Sequence, residues 1–499
     1  LRHPPSPPAK PNLGNYADFI TAHAQACPHK RALVDATTTL TYGELDPLIT
    51  RNALALRHLG VVSGEIVGVS LPDTAAHCVM LLAVARLGAI ILPMDHRWTT
   101  EEAARIAAQF AIQRMLVAPG REALAGVQTI KLDASWDSLV AAQPKTAAEF
   151  PHDDTMPMLL SMSSGTTGTP KGPLSTHAAQ ITRILNGAIT RDDIVLTATP
   201  LYFGGGRNFS IGSLLRGATI ILFPPPFHPE KLVAKIAAEK VTYTFLVPTQ
   251  MRRLLQLPDD GTLLFPSLRL LVSSGAVLYP DERSEIMRRL SPNLINLYSS
   301  TEGGSVATLR PEDQGERAKS VGRVHRDVTV QIVDADDRVL PNGEVGRIRQ
   351  KSPVVPDGFY NNPEETKKHF RDGWYYPGDL GHLDDDGFLY LAGRSKEMII
   401  RGGINIYPGE IEEPLLRLPE IHDCAAVAWP SAELGEELAL FVVRAGDISE
   451  ADVLAHCRAV LSPYKVPKGV FFIEELPKNA HGKVTRAALA SRLPPQGAP

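Results

Sequence analysis

The stretch Ser161-Met-Ser-Ser-Gly-Thr-Thr-Gly-Thr-Pro-Lys-Gly172 packs hydroxyls, glycines and one lysine into a dozen residues behind an apolar run. That composition suits a polyphosphate. Gly165, Gly168 and Gly172 let the backbone turn tightly and aim N–H groups at oxygens, while Ser163, Ser164, Thr166, Thr167 and Thr169 supply neutral donors and Lys171 a charge. The common P-loop pattern fails, because Pro170 stands five residues after Gly165 and a glycine, not a hydroxyl, follows Lys171. The competing reading of such a segment is a solvated loop.

Three later segments carry polar residues that a core does not require. Asn296-Leu-Tyr-Ser-Ser-Thr-Glu302-Gly-Gly follows an apolar run, at what would be the carboxyl end of a strand, where open α/β sheets place ligands. Asp379, between glycine and leucine in Gly373-Trp-Tyr-Tyr-Pro-Gly-Asp-Leu-Gly381, is able to accept both hydroxyl protons of a ribose. Asp384-Asp-Asp-Gly387 reads instead as a solvated turn. In Leu476-Pro-Lys-Asn-Ala-His-Gly-Lys483-Val-Thr-Arg486, Gly482 allows a tight turn that projects Lys483, a point charge on a flexible stem.

The elements that must position these segments read as βα cycles. A helix over 16–26 and a short hairpin at 31–42 lead into a helix from Gly43; a strand at 66–71, a helix at 74–87 and a strand at 89–93 form a βαβ unit. A helix at 101–110 and a strand at 114–118 follow, and an apolar strand at 156–162 feeds the polar loop, with a helix at 177–188 behind it. Further strands are read at 194–198, 218–223, 243–247 and 268–273, with a helix at 229–239. Short alternating strands at 321–350 indicate a β-rich subdomain, and a closing α/β unit has helices at 411–416 and 449–459 and strands at 423–428, 438–443 and 469–473.

Composition sets outer limits. A chain of 499 residues exceeds one ordinary core. Its 44% hydrophobic and 21% charged residues are those of a soluble globular protein, and a net charge of −4 argues against nucleic-acid or anionic-membrane partners held by bulk charge. Cys27, Cys78, Cys424 and Cys457 have neither disulfide-scaffold density nor zinc-site spacing, which fits a reducing, cytoplasmic setting. The stretch 79–92 is too short and too interrupted for a membrane span, and the proline-rich opening of the chain reads as a mobile tail.

Taken together, the segments resemble the acyl-adenylate-forming superfamily of acyl-CoA synthetases, over nearly the whole chain. Residues 163–172 match S-S-G-T-T-G-x-P-K-G; Tyr298 to Glu302 match Y-G-x-T-E with Ser299 for glycine; Tyr375 to Asp379 match Y-x-T-G-D with Pro377 for threonine. Gly393-Arg-Ser-Lys396, Gly402-Gly-Ile-Asn-Ile-Tyr-Pro408 and Pro477 to Lys483 match later motifs in order. The resemblance implies an α/β fold with a large N-terminal AMP-binding domain (1–393) of βα subdomains plus a small β-rich subdomain, a hinge at 394–396 about Lys396, and a small mobile C-terminal α+β domain (397–499). It also implies an AMP-forming acid:CoA ligase using ATP, Mg²⁺ and CoA, in the cytoplasm, without nucleic-acid or integral-membrane contact, and a homodimer as the family-level expectation.

The implied roles are chemically apt. Ser163, Ser164, Gly165, Thr166, Thr167, Gly168 and Lys171 would hold the leaving pyrophosphate. Thr301 would contact the α-phosphate and Glu302 ligate Mg²⁺. Tyr298 would stack on adenine beside Ser274, Gly275 and Ala276; Asp379, supported by Arg394, would take the ribose. Lys483 would bridge the attacking carboxylate and the α-phosphate, and Gly402 and Gly403 would meet the pantetheine arm. The two departures, Ser299 and Pro377, imply altered affinity and not lost activity.

The acyl pocket would run along Pro200-Leu-Tyr-Phe-Gly-Gly-Gly-Arg-Asn-Phe209 and the helix after it, with Phe203, Gly204 and Arg207 as substrate contacts. No acidic residue occurs from 200 to 223, which argues against an amino-acid substrate. Arg207 would either pair with a second carboxylate or polar substituent or reach solvent or a structural carbonyl. Aromatic, medium-chain and dicarboxylic acids stay open. The alternatives to a CoA ligase are a standalone adenylating enzyme serving a carrier protein, and a nucleotide-binding sensor without catalysis. Retention of Lys483, Glu302 and the full loop argues against the sensor.

Overall fold

The computed structural model describes residues 12–144, 149–162, 171–394, 397–401, 404–431, 434–461, 463–479 and 482–494. These fall into two compact units. The first draws on Leu1–Ser274, Ser284–Val306 and Lys351–Tyr375; the second on Gly275–Arg283, Ala307–Gln350 and Tyr376–Pro499.

The first unit contains the βα cycles. One sheet runs Gln128–Lys131, Arg114–Val117, Ile66–Ser70, Ile90–Pro93, Pro157–Leu160 and Leu174–Thr176 in spatial order. Its strands are parallel except the last pair. In a second sheet, Leu294–Ser300, Leu270–Ser273, Tyr243–Leu246, Ile194–Thr197, Thr219–Leu222 and Arg31–Val34 lie parallel in that order, with Thr39–Thr41 antiparallel beyond. Every residue of Ile66–Ser70, Thr219–Leu222 and Tyr243–Leu246 is buried, as parallel strands covered by helices on both faces require. The helices start where the sequence offers caps: Thr41 with Glu44 and Thr99 with Glu102 form capping boxes, and the Thr176 hydroxyl accepts the Ala179 N–H.

One expectation is corrected. The segment 200–209, read as preceding a helix, already contains the start of one: its glycines are the first turn of the helix Gly204–Leu215. A Cβ on Gly206 would stand 2.2 Å from the Thr199 carbonyl oxygen and 2.3 Å from that of Pro200, so the close approach of the preceding chain requires glycine there. The helices Pro248–Leu255 and Pro363–His369, each opened by a proline whose missing N–H costs nothing at that position, went unread in the sequence.

In the second unit, Asp379–Leu383 pairs antiparallel with Leu389–Arg394 and with the start of Gly346–Lys351. The Asp384 carboxylate accepts the N–H groups of Asp386 and Phe388, which makes the acidic run the turn it was read to be. Further on, the long antiparallel pair Ile421–Ser431 and Gly435–Arg444 has Gly469–Phe472 added in parallel. One face of this sheet buries Leu440 and Val442 with Ile411, Leu415 and Val453 from the helices Pro408–Leu415 and Glu450–Val460. The other buries Val427 and Phe441 with Leu476 and Leu489, so the segment bearing Lys483 is anchored on both sides by apolar packing.

Candidate active site

Two clusters form, one in each unit. In the first unit the strand Leu294–Ser300 delivers Tyr298 and ends at the turn Thr301-Glu302-Gly303. The Ser300 hydroxyl accepts the Gly303 N–H at 2.8 Å, and both terminal nitrogens of Arg183 donate to the Thr301 carbonyl, at 3.2 and 3.3 Å. Glu302 is buried, and its Oε2 accepts the Tyr375 hydroxyl at 3.1 Å. Tyr298 is half-buried. Ser299, the departure from the family pattern, is put to use: the Ser274 hydroxyl donates to the Leu297 carbonyl at 2.7 Å and lies 3.0 Å from the Ser299 hydroxyl.

Residues 163–170, which include the candidates Ser163, Ser164, Gly165, Thr166, Thr167 and Gly168, lie outside the described residues. Lys171, at the loop's end, is buried and paired with Glu365 of the helix Pro363–His369. His369 Nε2 stands 3.3 Å from the ammonium and the Phe359 ring 5.4 Å from it. Hydrogen bonds from Lys171 and Lys368 hold the Glu365 carboxyl down at about 2. Glu365→Gln should therefore lower stability by about 1–3 kcal/mol, between the values of an exposed and a fully buried pair. It leaves Lys171 a buried cation in want of an anion, so Mg·ATP should raise the melting temperature of the variant more than that of the wild type, which thermal unfolding with and without nucleotide will read.

Phe203 caps the helix Gly204–Leu215, and Asp73 accepts the Leu201 N–H at 2.7 Å, fixing the chain's entry into it. Phe209 stacks on Phe245 with centroids 4.5 Å apart and planes 13° apart. A Cβ on Gly205 would meet the Phe245 ring at 2.7 Å, whereas one on Gly204 meets nothing within 4 Å. Arg207 is buried, donating to the Tyr202 carbonyl at 3.1 Å and the Ser161 hydroxyl at 3.0 Å. Burial pushes its guanidinium down to about 10. Its Nε has no partner among the described residues. Of the two readings of Arg207, these contacts match the structural carbonyl.

The second unit holds the other cluster. Asp379 and Arg394 face each other across adjacent strands, Nε to Oδ1 at 3.2 Å. Gly275 turns with φ +95°, a conformation that favours glycine, and Ala276 follows it half-buried. Lys483 sits on a turn in which Gly482 has φ +74° and the Asn479 side chain accepts the Lys483 N–H at 3.0 Å. Burial pushes its ammonium below the usual lysine range, Arg394 adds to that, and Glu397 and Asp379 oppose it. Three residues on, Arg486 donates to the buried Glu412 at 2.6 Å and lies 3.8 Å from Glu397. Lys396, Gly402 and Gly403 lie outside the described residues.

Sequence reasoning missed Arg183, Glu365, Arg486 and the Tyr375 hydroxyl. Tyr375 stood inside a quoted motif as its first letter, and Arg486 closed the segment that bears Lys483, but neither was given a role. Among the described residues no group of three or more His, Cys, Asp or Glu is set to hold a metal, and no helix is long and apolar enough to cross a membrane. The single buried carboxylate of Glu302 is the kind of hard oxygen that Mg²⁺ takes beside substrate phosphates, without a protein cage.

The AMP-binding enzyme family matches residues 20–360, and the AMP-binding enzyme C-terminal domain matches residues 410–483. An indoleacetate–CoA ligase of Aromatoleum aromaticum is 32% identical over 94% of this chain and 96% of its own. The long-chain-fatty-acid–CoA ligase FadD13 of Mycobacterium tuberculosis is 30% identical over 96% of this chain and 98% of its own. The crystal structure of ATP-bound MatB from Rhodopseudomonas palustris superposes with a TM-score of 0.89 at 28% identity, covering 96% of this chain and 98% of that one.

Proposed function

Because this chain belongs to the AMP-binding enzyme family, we propose that it activates a carboxylic acid with ATP and passes the acyl group to CoA, as an AMP-forming acid:CoA ligase. The observation that carries this is Lys483, held in the electrostatic range of Asp379 and Arg394 by a turn whose flanks, Leu476 and Leu489, are anchored in the apolar core. A pure nucleotide binder has no need of that ammonium.

In the first step a carboxylate oxygen attacks the α-phosphorus, a new P–O bond forms, and the bond to pyrophosphate breaks. Lys483 neutralises charge building between acid and phosphate, and Thr301 meets the α-phosphate. Asp379, braced by Arg394, takes the ribose hydroxyls, Tyr298 stacks on adenine with Ser274, Gly275 and Ala276 lining the base, and residues 163–168 with Lys171 follow the leaving pyrophosphate. Glu302 would hold the magnesium ion, which would supply charge neutralisation when bound. In the second step the CoA sulfur attacks the acyl carbon, C–S forms, the C–O bond to AMP breaks, and the thiol proton passes to solvent. The domains proposed for this alternation are 1–393 and 397–499, turning about Lys396, with Gly402 and Gly403 facing the pantetheine in the second step.

For the acid we propose a flat apolar or aromatic acyl group lying against Phe203. The stacked Phe209 and Phe245 behind the first helical turn and the open space at Gly204 support this. The use of Arg207 on Ser161 and a backbone carbonyl tells against a second substrate carboxylate. Acid-dependent pyrophosphate release over a panel of aryl, medium-chain and dicarboxylic acids is expected to favour the aryl acids in kcat/KM. A preference for diacids, abolished in Arg207→Ala, would reverse this reading.

A further inference from the structure

We propose that Arg183 and Tyr375 are positioning residues that clamp the Thr301-Glu302 turn from two sides and thereby set the affinity of the site for Mg²⁺. The proposal rests on the reading of Glu302 as the metal ligand. Arg183 lies near the end of the helix His177–Leu185, and its two-pronged hold on the Thr301 carbonyl fixes the turn's backbone. Arg183 is half-buried, burial pushes its guanidinium down to about 10, and the charge of Glu302 opposes that shift. A Cβ on Gly304 would stand 3.5 Å from Arg183 Nε and 2.7 Å from a Val354 methyl, so the chain leaving the turn is also packed against the arginine.

Tyr375 holds the side chain. It is 4% exposed, and its ring lies 5.0 Å from that of Phe370 and 6.5 Å from that of His369. That packing leaves the phenol little freedom, and it is spent on one oxygen of Glu302. A carboxylate with one oxygen fixed by a donor presents the other to a cation in a single orientation, which is how outer hydrogen bonds tune metal ligands. The same aromatic group reaches Lys171, because Phe359 packs edge-on to Phe370 at 5.2 Å and carries the Lys171 ammonium over its ring. Segment 359–375 thus touches both the lysine ending the phosphate loop and the carboxylate that would hold the metal.

The test is ATP binding by calorimetry in the absence of acid, across a magnesium titration, for wild type, Tyr375→Phe, Arg183→Lys and Glu302→Gln. Tyr375→Phe keeps the ring and its packing while deleting the donor. The magnesium concentration giving half-maximal ATP binding should rise about tenfold in Tyr375→Phe and in Arg183→Lys, the lower end for loss of an outer-shell partner, with metal-free ATP affinity unchanged. Glu302→Gln should raise it further. If Glu302→Gln shifts that midpoint and neither Tyr375→Phe nor Arg183→Lys does, the clamp is wrong and the metal assignment stands. If Glu302→Gln leaves it unmoved, the metal assignment fails and the clamp falls with it.

Discussion

Lys483→Ala should cut acid-dependent pyrophosphate release by about a thousandfold, the upper range for removing one preorganised group that meets developing charge. Conversion of supplied acyl-AMP and CoA to thioester should stay near the wild-type rate, because the lysine is needed only while the α-phosphorus is under attack. A variant slowed equally in both half-reactions would show that the turn is structural. The pH profile carries a second signature. Burial and Arg394 disfavour the ammonium, so the folded-state pKa lies below the ordinary lysine value of about 10.4. The working charge is present below that depressed pKa and lost as pH rises through it, so the alkaline limb of adenylation should begin earlier than for an exposed lysine. Lys483→Arg, with reduced activity, should move that limb upward, since a guanidinium keeps its proton.

The largest effect on stability is expected at Arg486. Arg486→Met breaks a buried pair with Glu412 and should cost about 3–5 kcal/mol in the transition of the C-terminal unit, read from its denaturant midpoint. Burial already pushes the Glu412 carboxyl up despite Arg486 and the Ala426 N–H, and removing the arginine pushes it further. A carboxyl raised above its unfolded pKa carries its penalty once pH exceeds the unfolded value, and is relieved as protonation returns on acidification. The loss should therefore be larger at pH 8 than at pH 5, and Arg486→Met with Glu412→Leu should recover much of it. An equal loss at both pH values would mean that the carboxylate is not what suffers. Because Arg486 follows Lys483 by three residues, the single variant should also adenylate slowly.

The parallel strands were legible in the sequence because they are unbroken apolar runs buried on both faces; the helix Pro229–Glu239 was read with its observed ends, and 74–87 differs from Ala75–Arg86 by one residue at each end. The glycines at 204–206 defeated the same reasoning. Glycine is a poor helix former, and only the approach of the Thr199 and Pro200 carbonyls explains why it opens a helix there. At the site, Asp379, Arg394, Glu302 and Lys483 were found as letters of ordered motifs. The partners that hold Glu302 and its turn were not. Tyr375 lies 73 residues from Glu302 and Arg183 lies 118 from Thr301, distances at which no periodicity speaks and only packing decides. Lys171 shows the limit from the other side: the motif gives its identity, but its ion pair with Glu365 depends on where the helix Pro363–His369 settles.

The most direct test of the central claim is to mix the protein with Mg·ATP and an aryl acid without CoA, follow pyrophosphate and acyl-AMP, then add CoA. A burst of pyrophosphate matched by enzyme-held acyl-AMP is expected, converting to acyl-CoA and AMP on addition of the thiol. ATP cleaved to ADP and phosphate, or no acid-dependent pyrophosphate with any acid of the panel, would contradict it.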